Sequence, residues 1–291
     1  MGRVGLDAMV GWLRPALWSI VVHCGPLWSI VVVTRERGVM SQMKVAGIIP
    51  ARWASSRLPG KPLKDILGKP MIQRVYEGAA RATVLDSVWV ATDDDRIRAA
   101  VEAFGGRVIL TAPNHPSGTD RLAEAIDSVE ADLVVNIQGD QPFIDPSMID
   151  EAVRPMVEDP SIEMSTLVYE ITRPEDLHDP SVVKAVVDRH GFALYFSRSL
   201  IPYPQKDVPH SVYEHVGLYV YRRAFLKTLA ALKPTPLEQV ESLEQLRVLE
   251  HGYRIRVVEL RCPDKAFSGF SVDTAEDLER AAAMLRERDA T

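Results

Sequence analysis

From Met43 onward the chain alternates short β-branched runs with stretches whose apolar residues recur at helical spacing. Runs at 44–49, 86–91, 107–111 and 132–138 predict strands, and amphipathic stretches around 70–82, 94–104, 118–129 and 146–157 predict the helices between them. This alternation implies right-handed crossovers, hence an α/β fold with a mainly parallel sheet covered by helices on both faces. After about residue 160 the texture changes. Runs at 164–171, 182–188, 192–198 and 214–221 follow one another with less helix between them, which predicts mixed or antiparallel strands. Residues 236–251 predict one amphipathic helix, with Leu237, Val240, Leu243, Leu246, Val248 and Leu249 on its apolar spacing and Gly252 to stop it. A strand at 254–260 precedes a closing helix for which Thr274 and Asp277 form the N-cap pair. The second half therefore reads as an insertion that shapes a substrate pocket before the chain returns to the sheet.

The first 42 residues are of a different kind. Ala16 to Val33 is nearly all apolar, interrupted by His23 and Gly25-Pro26, and Leu-Trp-Ser-Ile-Val-Val occurs at both 17–22 and 27–32. Some 18 apolar residues is the lower limit for a membrane span, and Pro26 sits in its middle. No small-residue cleavage site follows before Arg35-Glu36-Arg37. The favoured reading is an extension outside the fold, with Met40 or Met43 as the working start; membrane contact enters only if residues 16–33 are a real anchor.

At 291 residues with 46% hydrophobic and 25% charged positions, the chain has the composition of a soluble protein with a full core. A net charge of −6 argues against broad nucleic-acid binding, which calls for a basic face. Cys24 and Cys262 make neither a metal-ligand spacing nor a disulfide framework, which fits a reducing cytoplasm.

Against that acidic background, Pro50 to Lys61 concentrates Arg52, Arg57 and Lys61 with no acid between them, directly after the first predicted strand. Small residues at Ala51, Ala54, Ser55, Ser56 and Gly60 let backbone N–H groups approach phosphate oxygens while the cations close over them. Ligands in such sheets lie at the carboxyl ends of strands, where this loop is. The alternative for three cations alone is a solvated basic loop. Asp140 ends the run Val134 to Ile137 on the same edge, and Asp273 follows the last strand. Each has the ordinary reading of a turn residue. Together, two hard carboxylates opposite a basic loop make a metal–triphosphate site suited to Mg²⁺. Ala91-Thr92-Asp93 ends a strand with groups suited to a base edge, although Asp93 also reads as a helix cap, and Ser117-Gly118 suits either an N-cap or close approach of a base or sugar.

These pieces resemble the 3-deoxy-manno-octulosonate cytidylyltransferase (CMP-Kdo synthetase) family from about Lys44 to Arg286. The likeness is carried by Ile48 to Pro62, Ala91 to Asp93, Ser117 to Leu122, Asn136 to Asp140, Ala193 to Arg198, His215 to Tyr221, Leu243 to Leu249 and Val272 to Thr274. It implies a Rossmann-like nucleotidyltransferase sheet with a nucleotide half over about 43–160, a sugar and dimer half over about 161–262, and a return to the sheet over 263–291. It also implies that CTP activates Kdo to CMP-Kdo with release of pyrophosphate for lipopolysaccharide biosynthesis, with Mg²⁺ as cofactor and a homodimer as the assembly. Carried over by position, Arg52, Arg57 and Lys61 hold the triphosphate, Ala91, Thr92, Asp93, Ser117 and Gly118 lie near the cytidine, and Asp140 and Asp273 bind the metal. Arg121, Gln138, Tyr195, Arg198, His215, Glu241, Glu244 and Gln245 take sugar-pocket positions. By themselves, Tyr195 reads as core, Glu241 and Glu244 as a solvated helix face, and His215 as structural.

Two departures stand out: Gln141 replaces the family's usual Glu, and Ser271 stands where Gly usually precedes Val-Asp-Thr. The alternatives to Kdo activation are a cytidylyltransferase for another acidic sugar, such as an 8-amino-Kdo analogue or a sialic acid, and a catalytically silent nucleotide-sugar-binding protein.

Overall fold

A computed structural model of the chain describes residues 43–54, 57–260 and 269–289. The apolar repeat of the first 42 residues, both cysteines, and Ser55 and Ser56 of the basic loop lie outside these residues.

The first strand, β1 (Val45–Ala51), is buried along nearly its whole length. Its Val45 and Ile49 join a core with helices α1 (Met71–Ala79), α2 (Asp95–Ala103) and α4 (Pro146–Glu158). Its Ala46 and Ile48 join another with α3 (Gly118–Ala125) and α5 (Arg223–Ala231). Successive side chains of a strand point to opposite faces, so an unbroken apolar run signals a strand covered on both sides. A two-stranded ribbon, β2 (Asp65–Ile66) with β3 (Lys69–Pro70), follows the basic loop.

Parallel to β1 lie β4 (Ser87–Thr92) and then β5 (Val108–Leu110) on one side, and β6 (Leu133–Asn136) on the other. The chain thus builds outward from β1 to β5 and then crosses back to β6. The strand order reverses between β1 and β6, and open α/β sheets bind ligands outside the carboxyl ends of strands at such a reversal.

The second half supplies the mixed strands expected of it. Among the described residues β7 (Met164–Glu170), β10 (Tyr213–Arg222) and β11 (Arg256–Glu259) extend the same sheet, β10 running antiparallel between β6 and β7, and β11 parallel to β7. Only the hairpin of β8 (Lys184–Val187) and β9 (Ala193–Ser197) stands off this path, attached through β8 to β10. Apolar texture reports that a strand is half-buried but not which neighbour it pairs with.

The helix expected over 236–251 is corrected. It is two helices, α6 (Pro236–Glu241) and α7 (Gln245–Glu250), separated at Ser242, whose φ of 53° is left-handed. Leu243, Leu246 and Val248 are buried as expected, but Leu237 is exposed and Val240 is 82% exposed. The cause is an ion pair. Arg247 Nε donates to Glu238 Oε2 at 2.8 Å, with the two side chains only 11% and 12% exposed. Nine residues apart on a continuous helix, at about 100° each, these side chains would stand on opposite faces. The pair therefore requires the break.

Gly252, with φ of 81°, ends α7 as expected. The closing helix α8 (Ala275–Asp289) begins with the expected cap: Asp277 Oδ2 accepts from the backbone N–H of Asp273 and of Thr274, and Thr274 Oγ1 accepts from Asp277 N–H. Among the described residues no helix is long and apolar enough to cross a membrane.

Candidate active site

The strand-order reversal is where the charges meet. Beyond β1 the chain turns back through Gly60, whose φ of 66° is left-handed and whose N–H donates to Trp53 O at 3.2 Å. A Cβ at Gly60 would stand 2.8 Å from the Trp53 ring, so both conformation and space require glycine. The Arg96 guanidinium lies 3.4 Å from the centroid of the Trp53 ring and is itself paired with Asp94. This packing fixes the turn that delivers Lys61.

Lys61 Nζ donates to Asp140 Oδ2 at 2.9 Å and to Asp273 Oδ1 at 3.0 Å, and Arg57 Nη2 lies 3.2 Å from the same Asp273 oxygen. Asp140 arrives on the turn after β6. That turn passes so close to β1 that a Cβ at Gly139 would stand 3.0 Å from Pro50 O. Asp273 arrives from the far end of the chain and is fastened by Val272 N–H, which donates to Asp140 O at 2.9 Å. The lysine is 14% exposed and the two aspartates 31% and 39%, so solvent-borne groups reach them. Arg52, just beyond β1, is exposed. Among the described residues the non-glycine positions with positive φ are Leu67 and Ser242, so Ser271 keeps an ordinary backbone and leaves Asp273 in place. Gln141 is buried, and its Oε1 has no hydrogen-bond partner among the described residues.

Beside this cluster lies a cavity of about 390 Å³. Gly118, Gln138, His215, Glu244 and Gln245 line it, and all five were singled out from sequence. Asn136, Thr119, Val183, Tyr219 and Tyr221 line it too, and these were missed. Their signal was register: Tyr219 pairs directly with Asn136 across β10 and β6. Gln138 Nε2 donates to Gly217 O at 2.8 Å, where β10 slips register between Val216 and Tyr219. Three buried polar atoms in the wall have no hydrogen-bond partner among the described residues: Asn136 Oδ1, Glu244 Oε1 and Gln245 Nε2. Such atoms are costly unless a ligand or water satisfies them. Val183 is held by its neighbour Lys184, which is fully buried and donates from Nζ to Asp179 O and Val182 O at 2.8 and 2.6 Å.

His215 is fully enclosed, its Nε2 3.0 Å from Thr166 Oγ1, and burial drives its pKa down to about 3. It therefore stays neutral across the physiological range. The expected NMR titration shows no His215 protonation between pH 8 and 5. Because the unfolded state binds that proton below about pH 6.5 and the folded state only near 3, His215 makes folding progressively less favourable as pH falls through that window.

The remaining residues singled out from sequence lie outside the cavity lining. Ala91 and Thr92 are fully buried in β4, and Thr92 Oγ1 accepts from Asp94 N–H. The cap of α2 is Asp94, which accepts from Arg96 N–H, while Asp93 pairs with the buried Arg121 at 3.1 Å. Arg121 also donates to Thr111 Oγ1, so it is held from the opposite side. Ser117 and Asp120 cap α3 reciprocally, bringing the start of that helix to Pro50. Glu241 accepts from Ser197 Oγ at 2.6 Å and from Arg198 N–H at 3.0 Å, and Arg198 Nε returns a bond to Glu241 O. The Tyr195 hydroxyl is pushed up by burial and by the Glu241 charge.

A cation-bearing loop at the first strand's end, two carboxylates that meet its lysine and a cavity, at the reversal point of a Rossmann-like sheet, define a nucleotidyltransferase. The cytidylyltransferase family model matches residues 46–255. A relative from Syntrophotalea carbinolica, named 3-deoxy-manno-octulosonate cytidylyltransferase, is 53% identical over 84% of this chain and 99% of its own length. One of the same name from Geobacter metallireducens is 52% identical over 84% and 98%. A solved structure of CMP:2-keto-3-deoxy-manno-octonic acid synthetase complexed with CTP superposes with a TM-score of 0.80 at 46% identity, over 84% of this chain and 99% of that one. The chain belongs to the 3-deoxy-manno-octulosonate cytidylyltransferase family.

Proposed function

We propose that this site transfers the cytidylyl group of CTP to Kdo, giving CMP-Kdo and pyrophosphate for lipopolysaccharide biosynthesis. The observation that carries the reading is the convergence of Lys61 on both Asp140 and Asp273 beside a cavity whose wall holds unsatisfied polar atoms. Family membership supports the substrates, since the CTP-complexed structure covers the same span of chain.

The anomeric hydroxyl of Kdo attacks the α-phosphorus and gives up its proton to solvent, a bond from its oxygen to phosphorus forms, and the bond to the pyrophosphate oxygen breaks. No side-chain nucleophile is needed, because both reactants are held in place. Lys61, Arg57 and Arg52 neutralise charge growing on the leaving pyrophosphate. Gln138, fixed to Gly217 O, lines the cavity two residues before Asp140 and positions the sugar.

Asp140 and Asp273 fit Mg²⁺: both are hard oxygen donors facing one cationic position, and a magnesium site takes one or two carboxylates plus substrate phosphates. Among the described residues no group of three or more His, Cys, Asp or Glu stands together, so substrate phosphates would complete the ion's shell. When bound, the ion supplies charge neutralisation at the phosphates. Exposed Leu194, Tyr203 and Val208, on β9 and the segment after it, support a homodimer.

Pyrophosphate release from Mg²⁺, CTP and Kdo tests the activity. Release is expected with Kdo and is expected to be slower with a sialic acid or an 8-amino-Kdo analogue. No release with any acidic sugar would leave a silent nucleotide-sugar-binding protein.

A further inference from the structure

Among the described residues the titratable groups lining the cavity are Glu244, His215, Tyr219 and Tyr221, with no lysine or arginine. Burial keeps His215 neutral and pushes both tyrosine hydroxyls well above their ordinary range. Only Glu244 would bring a full charge to this wall, yet its Oε1 is buried without a partner among the described residues. Among the described residues the nearby cations are already held: Lys184 of β8 donates to the carbonyls of Asp179 and Val182, and Arg198 after β9 to those of Glu241 and Pro180. Arg247 of α7 is committed to Glu238 of α6, and Asp120 of α3 adds a second negative charge. An ionised carboxylate in such a place is expensive, and it would repel an anionic sugar.

Resting on the Kdo reading above, the geometry points to Glu244 facing the sugar as a neutral carboxylic acid, the group that admits an uncharged, hydroxyl-bearing arm into the cavity and disfavours the sugar's own carboxylate there. A protonated carboxyl both donates and accepts, as a hydroxyl does. The unpartnered Asn136 Oδ1 and Gln245 Nε2 beside it supply one more acceptor and one more donor, a set matched to a polyol rather than to an anion. The cations for a carboxylate lie elsewhere: β6 carries Asn136 in the cavity, and four residues on Asp140 meets Lys61. Desolvation raises the Glu244 pKa, and its contact with the Thr119 hydroxyl and the Arg247 charge opposes the rise without cancelling it.

The sign of the pH effect follows. Below the raised pKa Glu244 is neutral and the sugar binds; above it the group ionises and the KM for sugar climbs, by up to about tenfold per pH unit, while the KM for CTP does not follow it. The direct test is infrared difference spectroscopy of the full-length protein against Glu244→Gln, without sugar, at neutral pH. A protonated-carboxyl carbonyl band present in the parent and missing in the variant is expected; a carboxylate band lost instead overturns the inference. Should Glu244→Gln not fold, calorimetry of Kdo binding to the parent protein in buffers of different ionisation enthalpy takes its place. Proton uptake rising toward one per sugar as pH increases is expected, and its absence at every pH overturns the inference. A protein that releases no pyrophosphate from CTP and Kdo would defeat the proposed activity, whereas the infrared band, read without sugar, would still report on Glu244.

Discussion

Replacing Lys61 by methionine is expected to lower the turnover of CTP and Kdo about 100- to 1,000-fold, equivalent to about 3 to 4 kcal/mol of lost charge stabilisation, with the fold intact. Lys61 is the group bonded to both Asp140 and Asp273, at 2.9 and 3.0 Å, and it occupies the point where the β1 loop, the β6 turn and the segment before α8 meet. Among the described residues Arg57 pairs with Asp273 but not with Asp140. It is more exposed than Lys61, so solvent screens it more and its loss is expected to cost less. A second consequence separates an electrostatic role from a merely structural one. With the ammonium removed, the two carboxylates lose their shared counter-charge, so Mn²⁺ should bind the variant more tightly than the parent protein in the absence of CTP. Steady-state pyrophosphate release, thermal unfolding and a paramagnetic metal titration together check this. A variant turning over near the parent rate would remove Lys61 from the chemistry.

Arg247→Met is expected to cost about 3 to 5 kcal/mol of stability, the penalty for leaving a buried partner charge uncompensated. For a chain of this size that is a fall in Tm of roughly 6 to 20 °C. Arg247 and Glu238 are both nearly enclosed, and Glu238 also accepts from Thr235 N–H at 3.1 Å to cap α6. The double variant Arg247→Met, Glu238→Leu should recover most of the loss, because no orphaned charge remains. Acid has a related effect. Burial is the largest single influence and raises the Glu238 pKa, but the hydrogen bonds from Arg247 and Thr235 together with the Arg247 charge outweigh it, and the net shift is downward. The pair's contribution is therefore full above about pH 4.3, the ordinary glutamate value, and is lost as pH falls below it through the depressed folded value. Since the pair sets the break at Ser242 that turns Glu244 and Gln245 into the cavity, the single variant should also raise the KM for sugar more than that for CTP. Chemical denaturation at pH 7 and 4 measures the first effect, and steady-state kinetics the second.

The nucleotide-side strands were legible because each is an apolar run bounded by turn residues, and β1, β4, β5 and β6 fall close to the runs at 44–49, 86–91, 107–111 and 132–138. Caps at Ser117, Thr274 and Gly252 were legible for the same local reason: a cap is a contact between residues three or four apart. The broken helix was not. Its apolar spacing continues across Ser242, and nothing local distinguishes a stripe that serves one helix from a stripe divided between two. The partners of the Arg121 guanidinium, Asp93 and Thr111, were not legible either, because they lie on other elements.

What the chain determined by itself is which chemistry stands at each strand end: cations and glycine after β1, an aspartate after β6, another before α8. Which of these groups meet was decided only in three dimensions. Lys61 and its two carboxylates are 79 and 212 positions apart, and they converge because strand order places β1 beside β6 and Val272 binds back to Asp140. The cavity follows the same logic, for its wall combines β6, β10, α3 and α7. Side-chain periodicity is set by backbone geometry over a few residues, whereas the pairing of strands and the burial of Glu244 depend on the free energy of the whole sheet and its packed helices.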